Sequence, residues 1–162
     1  MDAIEAIRNH PVFRENYDKL NRLEKNRMFC THQYVHLLDV ARIAYIHNLE
    51  EELGFRKEVV YAAALLHDIG KARQYEDGIG HETAGAMLAA QILIDLPGEY
   101  FTPDEVTQII LAIKGHRKKR AKMEVLEELL YRSDKQSRMC FACGVEPECD
   151  WDAGKKNFKI DI

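Results

Sequence analysis

The stretch Leu65-Leu66-His67-Asp68-Ile69-Gly70-Lys71 limits what this chain can fold into. It closes the apolar run from Val59 to Leu66, the kind of segment that becomes a buried helix. A histidine and an aspartate therefore arrive side by side at the end of a segment bound for the core. A buried carboxylate without a partner is strongly unfavourable, so it is paired or bound to metal. The pair His67-Asp68 predicts the centre of a metal site. Gly70 is read as the stop of the helix, with Lys71 just beyond it.

The rest of the chain is helical in pattern. Apolar residues recur at helical spacing, and four prolines and few alternating runs leave an all-α class. Helices are expected over residues 2–9 and 12–25, then from a Thr31 cap to about Leu53, and from Arg56 to Asp68. Further helices are expected from His81 to Leu96, from Pro103 to Gly115, and from about Lys122 to Gln136. The second is polar and reads as a solvated outer helix. The third is apolar around most of its circumference, which predicts a central, buried helix. Thr102-Pro103-Asp104-Glu105 is a capping box with proline in the first helical position. From Ser137 on the chain is irregular, and Asn157 to Ile162 alternates like a short strand or a docked tail. A length of 162 residues suits one domain, with a core at about 30–139 and a cysteine-containing tail, 140–162, packed on it.

Partners for His67 and Asp68 can be picked out by register. His36 shares a helix stripe with Val40 and Ile43. His32 lies one turn earlier on nearly the same face. Asp134 follows Leu130 by four residues and Leu126 by eight, so it points where the core leucines point. His81 opens a helix, and His116 ends one in register with Ile109 and Ile113. His36, His67, His81, His116, Asp68 and Asp134 make four imidazoles and two carboxylates. Nitrogen and oxygen donors without thiolate suit Fe, Mn, Co, Ni or Zn at an open site rather than a closed structural zinc. Six ligands exceed the need of one ion and fit two, with Asp68 as the bridge. Such a pair can clamp a phosphoryl group. Lys71, Arg117, Lys118, Lys135 and Arg138 stand near these ligands in sequence and suit an anionic substrate. Lys119 and Arg120 read as a solvated loop.

The pattern resembles the HD-domain metal-dependent phosphohydrolase superfamily. The matching residues are His36 with the Val40-Ala41 pair after it, His67-Asp68 in Leu-Leu-His-Asp-Ile-Gly-Lys71, and Asp134 in Leu-Leu-Tyr-Arg-Ser-Asp-Lys135. His81 and His116 match the extra histidines of dinuclear members, among them the bacterial diadenosine tetraphosphate hydrolases. The loop after His116 is Arg-Lys-Lys where that branch carries small polar residues. The resemblance covers about residues 30–139 and implies an HD-domain helical bundle. It also implies hydrolysis of a phosphate ester or anhydride, of a nucleotide or another small phosphorylated compound, by attack of a metal-bound hydroxide. Asp68 would lie between the metals, and Lys71 would bind phosphate. The alternative is an HD domain that senses a nucleotide without turning it over.

Composition and cysteine spacing complete the expectations. A net charge of −4 gives no electrostatic case for specific nucleic-acid binding. Met1 to Glu5 has no basic-then-apolar pattern, and no apolar run is long enough to span a bilayer. A cytoplasmic protein without a membrane partner is expected, with a homodimer allowed. Its cysteines would then be reduced or metal-bound. Cys140, Cys143 and Cys149 are spaced C-x2-C-x5-C, and Cys30 lies as far before His36 as Cys140 lies after Asp134. If those two helices run antiparallel, the four thiols can meet as a zinc or iron–sulfur site. Buried reduced thiols are the other reading.

Overall fold

A computed structural model describes residues 1–162. The chain forms eight α-helices and no strand. They are α1 (Asp2–Asn9), α2 (Pro11–Leu23), α3 (Tyr34–Glu50), α4 (Lys57–Leu66), α5 (Lys71–Asp77), α6 (His81–Asp95), α7 (Pro103–Gly115) and α8 (Val125–Gln136). Two single-turn 3-10 segments, Cys140–Ala142 and Glu146–Glu148, follow. No helix is long and apolar enough to cross a membrane.

The all-α expectation agrees with this architecture, but the centre of the bundle is α4, not α3. Val59, Val60 and every residue from Ala62 to Leu66 are buried. Three successive alanines, Ala62 to Ala64, keep that helix slim enough for α1, α3, α7 and α8 to close around it. On α3 only one stripe is buried, His36, Leu37, Val40, Ala41, Ala44 and Asn48, whereas Val35 and Leu49 are exposed. Its surplus of apolar residues overstated its burial, because a helix at the edge of a bundle buries only the face it turns inward. The polar helix α2 likewise buries Phe13, Asn16, Tyr17 and Leu20.

Helix ends follow local chemistry. At α7 the Thr102 hydroxyl accepts from Glu105 N at 3.2 Å, and the Glu105 carboxylate accepts from Thr102 N at 2.8 Å. Helix α3 starts later than Thr31, with Gln33 as its cap, and α8 starts later than Lys122, with Glu124 as its cap. The alternating end of the chain is neither strand nor helix, but it is tied down. Phe141 N donates to Asn157 O at 3.1 Å, and Asn157 Nδ2 donates to Gln136 O at 2.7 Å.

Gly70 differs most from its expected role. It does not end the helical path: α5 starts at Lys71, and Gly70 itself is in helical conformation with φ −79°. It is required by close approach instead. A Cβ there would overlap His81 O and the backbone of Gly85. Gly85 in turn faces His67 O, 3.3 Å from where its own Cβ would lie. These two glycines let the α4–α5 turn lie directly on the first turns of α6. Gly70→Ala should therefore lower stability by about 1–3 kcal/mol through overpacking. Urea unfolding measures this, and an unchanged midpoint would show that the turn and α6 can part at no cost.

Candidate metal centre

Five helices bring the ligand-type residues together, two of them at their C-terminal ends. His36 comes from the first turn of α3, His67 and Asp68 from the end of α4, and His81 from the first residue of α6. His116 caps α7, and Asp134 lies in the last turn of α8. All six are buried. They form two groups of possible metal ligands, His36–His67–Asp68–Asp134 and Asp68–His81–His116, which share Asp68.

The two oxygens of Asp68 divide between the groups. Oδ2 lies 3.1 Å from His67 Nε2 and 3.4 Å from His36 Nε2. Oδ1 lies 3.5 Å from His81 Nε2 and 3.8 Å from His116 Nε2. Asp134 Oδ1 completes the first group, 3.3 Å from His36 Nε2.

Each of the four imidazoles is oriented from behind. His67 Nδ1 donates to Ala64 O at 2.7 Å and His116 Nδ1 to Ile113 O at 2.6 Å. His81 Nδ1 meets Gln74 Oε1 at 2.6 Å, and His36 Nδ1 meets Ser137 Oγ at 3.1 Å. Because the Ser137 hydroxyl donates to Asp134 O at 2.8 Å, it accepts from His36. With a proton held on Nδ1, every Nε2 turns inward.

Those inward atoms fit a cation. His36 and His67 bring Nε2 atoms within 3.3 Å of each other, and His81 and His116 within 3.2 Å. Asp134 Oδ1 is buried without a hydrogen-bond partner. Burial opposes a proton on His67, but Asp68 and Asp134 outweigh it and push its pKa up to about 9. Burial likewise works against ionised Asp68, yet His67 and His32 hold its carboxyl well below the usual range. The first group thus draws positive charge inward. His81 is held neutral, with burial pulling its pKa down to about 2.

The centre opens into a cavity of about 260 Å³. Lys71, Arg117, Lys118, Lys135, Arg138 and Lys155 line it, against the carboxylates of Asp68 and Asp134. The cations differ in freedom. Arg117 is shared with Glu82 at 3.2 Å. Lys135 Nζ lies 2.5 Å from Asp134 Oδ2 and also sits over the rings of Tyr131 and Trp151. Arg138 is buried rather than presented to solvent. Its Nη1 donates to Thr31 O at 3.1 Å, and its Nη2 lies 2.9 Å from His36 Nε2. Lys71 is half-buried, and burial lowers its pKa against the pull of Asp68 and Asp134.

The family model for the HD domain matches residues 34–139. The chain belongs to the HD domain family. A protein of Clostridium beijerinckii described as uncharacterized is 44% identical over 160 residues, 99% of each chain. Ribonuclease Y of Desulfotalea psychrophila is 34% identical over 125 residues, 77% of this chain and 22% of that protein. Ribonuclease Y of Lactobacillus gasseri is 28% identical over 132 residues, 82% of this chain and 22% of that protein. This HD domain therefore spans about a fifth of the length of those ribonucleases. The crystal structure of a protein described as a predicted HD superfamily hydrolase, from an uncultured Thermotogales bacterium, superposes with a TM-score of 0.62. That match covers 96% of this chain and 87% of the other at 22% identity, and shows a shared fold.

Two features of the centre go beyond the sequence reading, which places His32 on nearly the same face as His36 without giving it a partner. His32 is buried and lines the cavity, its Nε2 3.7 Å from Asp68 Oδ2. Behind it stands Glu24, also buried, which takes His32 Nδ1 at 2.5 Å and accepts from His32 N at 2.8 Å. Tyr75 donates to Glu24 at 2.7 Å and Arg27 to Tyr75 at 3.0 Å. Glu24 lies just past a polar helix, and only the fold reveals that it faces inward. Trp151, the one tryptophan of the chain, forms part of the cavity wall, and its singularity was the available signal.

The shared carboxylate makes metal content a direct measurement. Asp68→Ala should lose metal from both groups while circular dichroism stays helical. His81→Ala should lose only the second group's ion. Elemental analysis per chain separates the two, and equal metal content in both variants would refute Asp68 as the common ligand.

Proposed function

We propose that this HD domain is a metal-dependent phosphohydrolase acting on a nucleotide or another small phosphorylated compound. One observation carries the proposal: two ligand groups joined by a single carboxylate stand at the floor of a cavity lined by six cationic side chains. His36, His67, Asp68 and Asp134 would hold one divalent ion, and Asp68, His81 and His116 a second. Iron, manganese, cobalt, nickel or zinc suits such donors. Bound there, the ions would supply Lewis acidity and a nucleophile at neutral pH.

The protein's own residues would do the rest. Lys71 and Lys118 would take the phosphate oxygens, with Arg117 turned towards them from Glu82. Lys135 would set the carboxylate of Asp134, and Arg138 would offset the negative charge on the phosphoryl oxygens. His32, held by Glu24, would present Nε2 beside Asp68 for a hydrogen bond to the substrate. Trp151 would cover the cavity from the tail side and offer a flat face to a base or sugar.

Two other readings are tested in the same assay. The relatives named Ribonuclease Y favour an RNA phosphodiester as substrate. A nucleotide sensor would keep the ligands without turnover. The purified protein with Mn²⁺ should release product from at least one member of a panel of nucleoside phosphates and diadenosine tetraphosphate. Cleavage of short RNA alone would favour the ribonuclease reading. Tight nucleotide binding with no product would favour the sensor.

Lys71→Ala separates substrate handling from metal content. One charge-assisted hydrogen bond is worth about 1.5–3 kcal/mol, so kcat/KM should fall by about tenfold to a hundredfold. The metal content per chain should stay unchanged. An equal loss of both would place Lys71 in the support of the ligands instead.

A further inference from the structure

The segment 140–162 lacks the usual means of staying folded. None of its residues is buried, and its only regular structure is two single turns. Fixing one residue's backbone costs about 1–2 kcal/mol, which apolar burial normally offsets. Here the visible ties are polar. Besides the Asn157 hydrogen bonds, Lys156 Nζ holds Glu146 Oε1 at 2.7 Å.

The cysteines lie in the middle of this segment. Cys140, Cys143 and Cys149 line one cavity of about 110 Å³ together with Cys30, which comes from the loop between α2 and α3. All four thiols are free. We propose that Cys30, Cys140, Cys143 and Cys149 bind one zinc ion as four thiolates, and that this centre fixes the wall of the phosphohydrolase cavity.

Backbone geometry favours the first pair. Cys140 and Cys143 begin and close one 3-10 turn, with Cys143 N donating to Cys140 O at 3.3 Å, so both side chains leave the same turn. This is the C-x2-C spacing of zinc sites. Cys149 closes the second turn, its N donating to Glu146 O at 3.1 Å. The fourth thiol is positioned by two arginines. Arg27 Nε donates to Cys30 O at 2.9 Å, and Arg138 donates to the next carbonyl, Thr31 O. Arg138 thereby joins the loop that carries Cys30 to the start of the tail.

Charge and shape favour zinc. Four thiolates around Zn²⁺ leave a net charge of about −2. Arg27, Lys71, Arg138 and Lys156 line the same cavity against only Glu146 and Asp150. Burial raises the Cys140 pKa, and the other three cysteines add to it. One close pair with two separate thiols suits a single tetrahedral ion, whereas the C-x2-C-x2-C run of a bacterial iron–sulfur cluster is not present.

The two cavities are neighbours. His32, Lys71, Arg138 and Trp151 line both. Trp151 follows Cys149 by two residues and lies under the Lys135 ammonium, 5.1 Å from ring centre to nitrogen. A zinc ion at the thiols would hold Trp151 and Lys155 over the substrate. This role in the wall rests on the hydrolase reading above; the zinc centre itself does not.

The test uses the full-length protein as purified. With Asp68→Ala removing the other metal centre, one zinc per chain should remain, and adding Cys143→Ser or Cys149→Ser should remove it. Because those variants could misfold, the unsubstituted protein is titrated with an organomercurial in the presence of a zinc indicator. Blocking four thiols should release one zinc, and the emission of Trp151 should shift to the red. Cobalt-substituted protein should show thiolate-to-metal charge-transfer bands that Cys143→Ser lacks. Thiols that react freely with no zinc released, or a visible iron–sulfur chromophore, would overturn the zinc centre. Zinc release with unchanged Trp151 emission would overturn its role in the wall. None of these readouts depends on catalysis, so a protein without phosphohydrolase activity could still pass or fail them.

Discussion

Asp68 is the group on which the rest of the structure depends. An ionised carboxylate taken out of water carries a penalty of several kcal/mol, and only close opposite charge or metal makes that state tenable. Five histidines face its two oxygens, His32 from the loop before α3 and four more from helices or their ends. Those four arrive from α3, α4, α6 and α7, so the demand of one side chain fixes how most of the bundle converges. Small residues make the convergence possible. The alanines of α4 and the contact of Gly70 with Gly85 bring backbones close enough for imidazoles, rather than longer side chains, to reach the centre.

Rigidity comes from the layer behind the ligands. Two imidazoles are anchored on the carbonyls of their own helices, Ala64 and Ile113, one turn back. Gln74 and Ser137 hold the other two from different helices. The chain Arg27–Tyr75–Glu24–His32 reaches the centre from the side of α2 and α5. Burial together with Glu24 pushes the Tyr75 hydroxyl up to about 12, which keeps it a donor. A centre built this way has its donor atoms aimed before any ion arrives, which reduces the ordering cost of binding.

What could be read from the sequence was set by local pattern. The His-Asp pair at the end of an apolar run, the register of His36 and Asp134, and the capping box at Thr102 depend on neighbours a few residues away. Each reappears in the fold. Glu24 does not stand out, and His32 stands out only as a neighbour of His36, because their burial arises where the end of α2, the loop after it and α5 meet. No periodicity reports that junction. Burial of α3 was overstated for the opposite reason: composition says how apolar a helix is, but not how many neighbours it has. Gly70 was read through its helix-breaking tendency, while the contact with α6 that requires it lies outside its own segment.

Charge shows the same division between global and local properties. The chain carries −4 overall, which argues against a broad electrostatic attraction for polyanions. Its candidate cavity has the opposite character, because cations from α5, the loop after α7, the end of α8 and the tail all turn to one side. A small anion that enters meets these cations at short range, where screening by salt is weak. The positive lining of the cavity therefore arises through the placement of a few side chains rather than through the net charge of the chain.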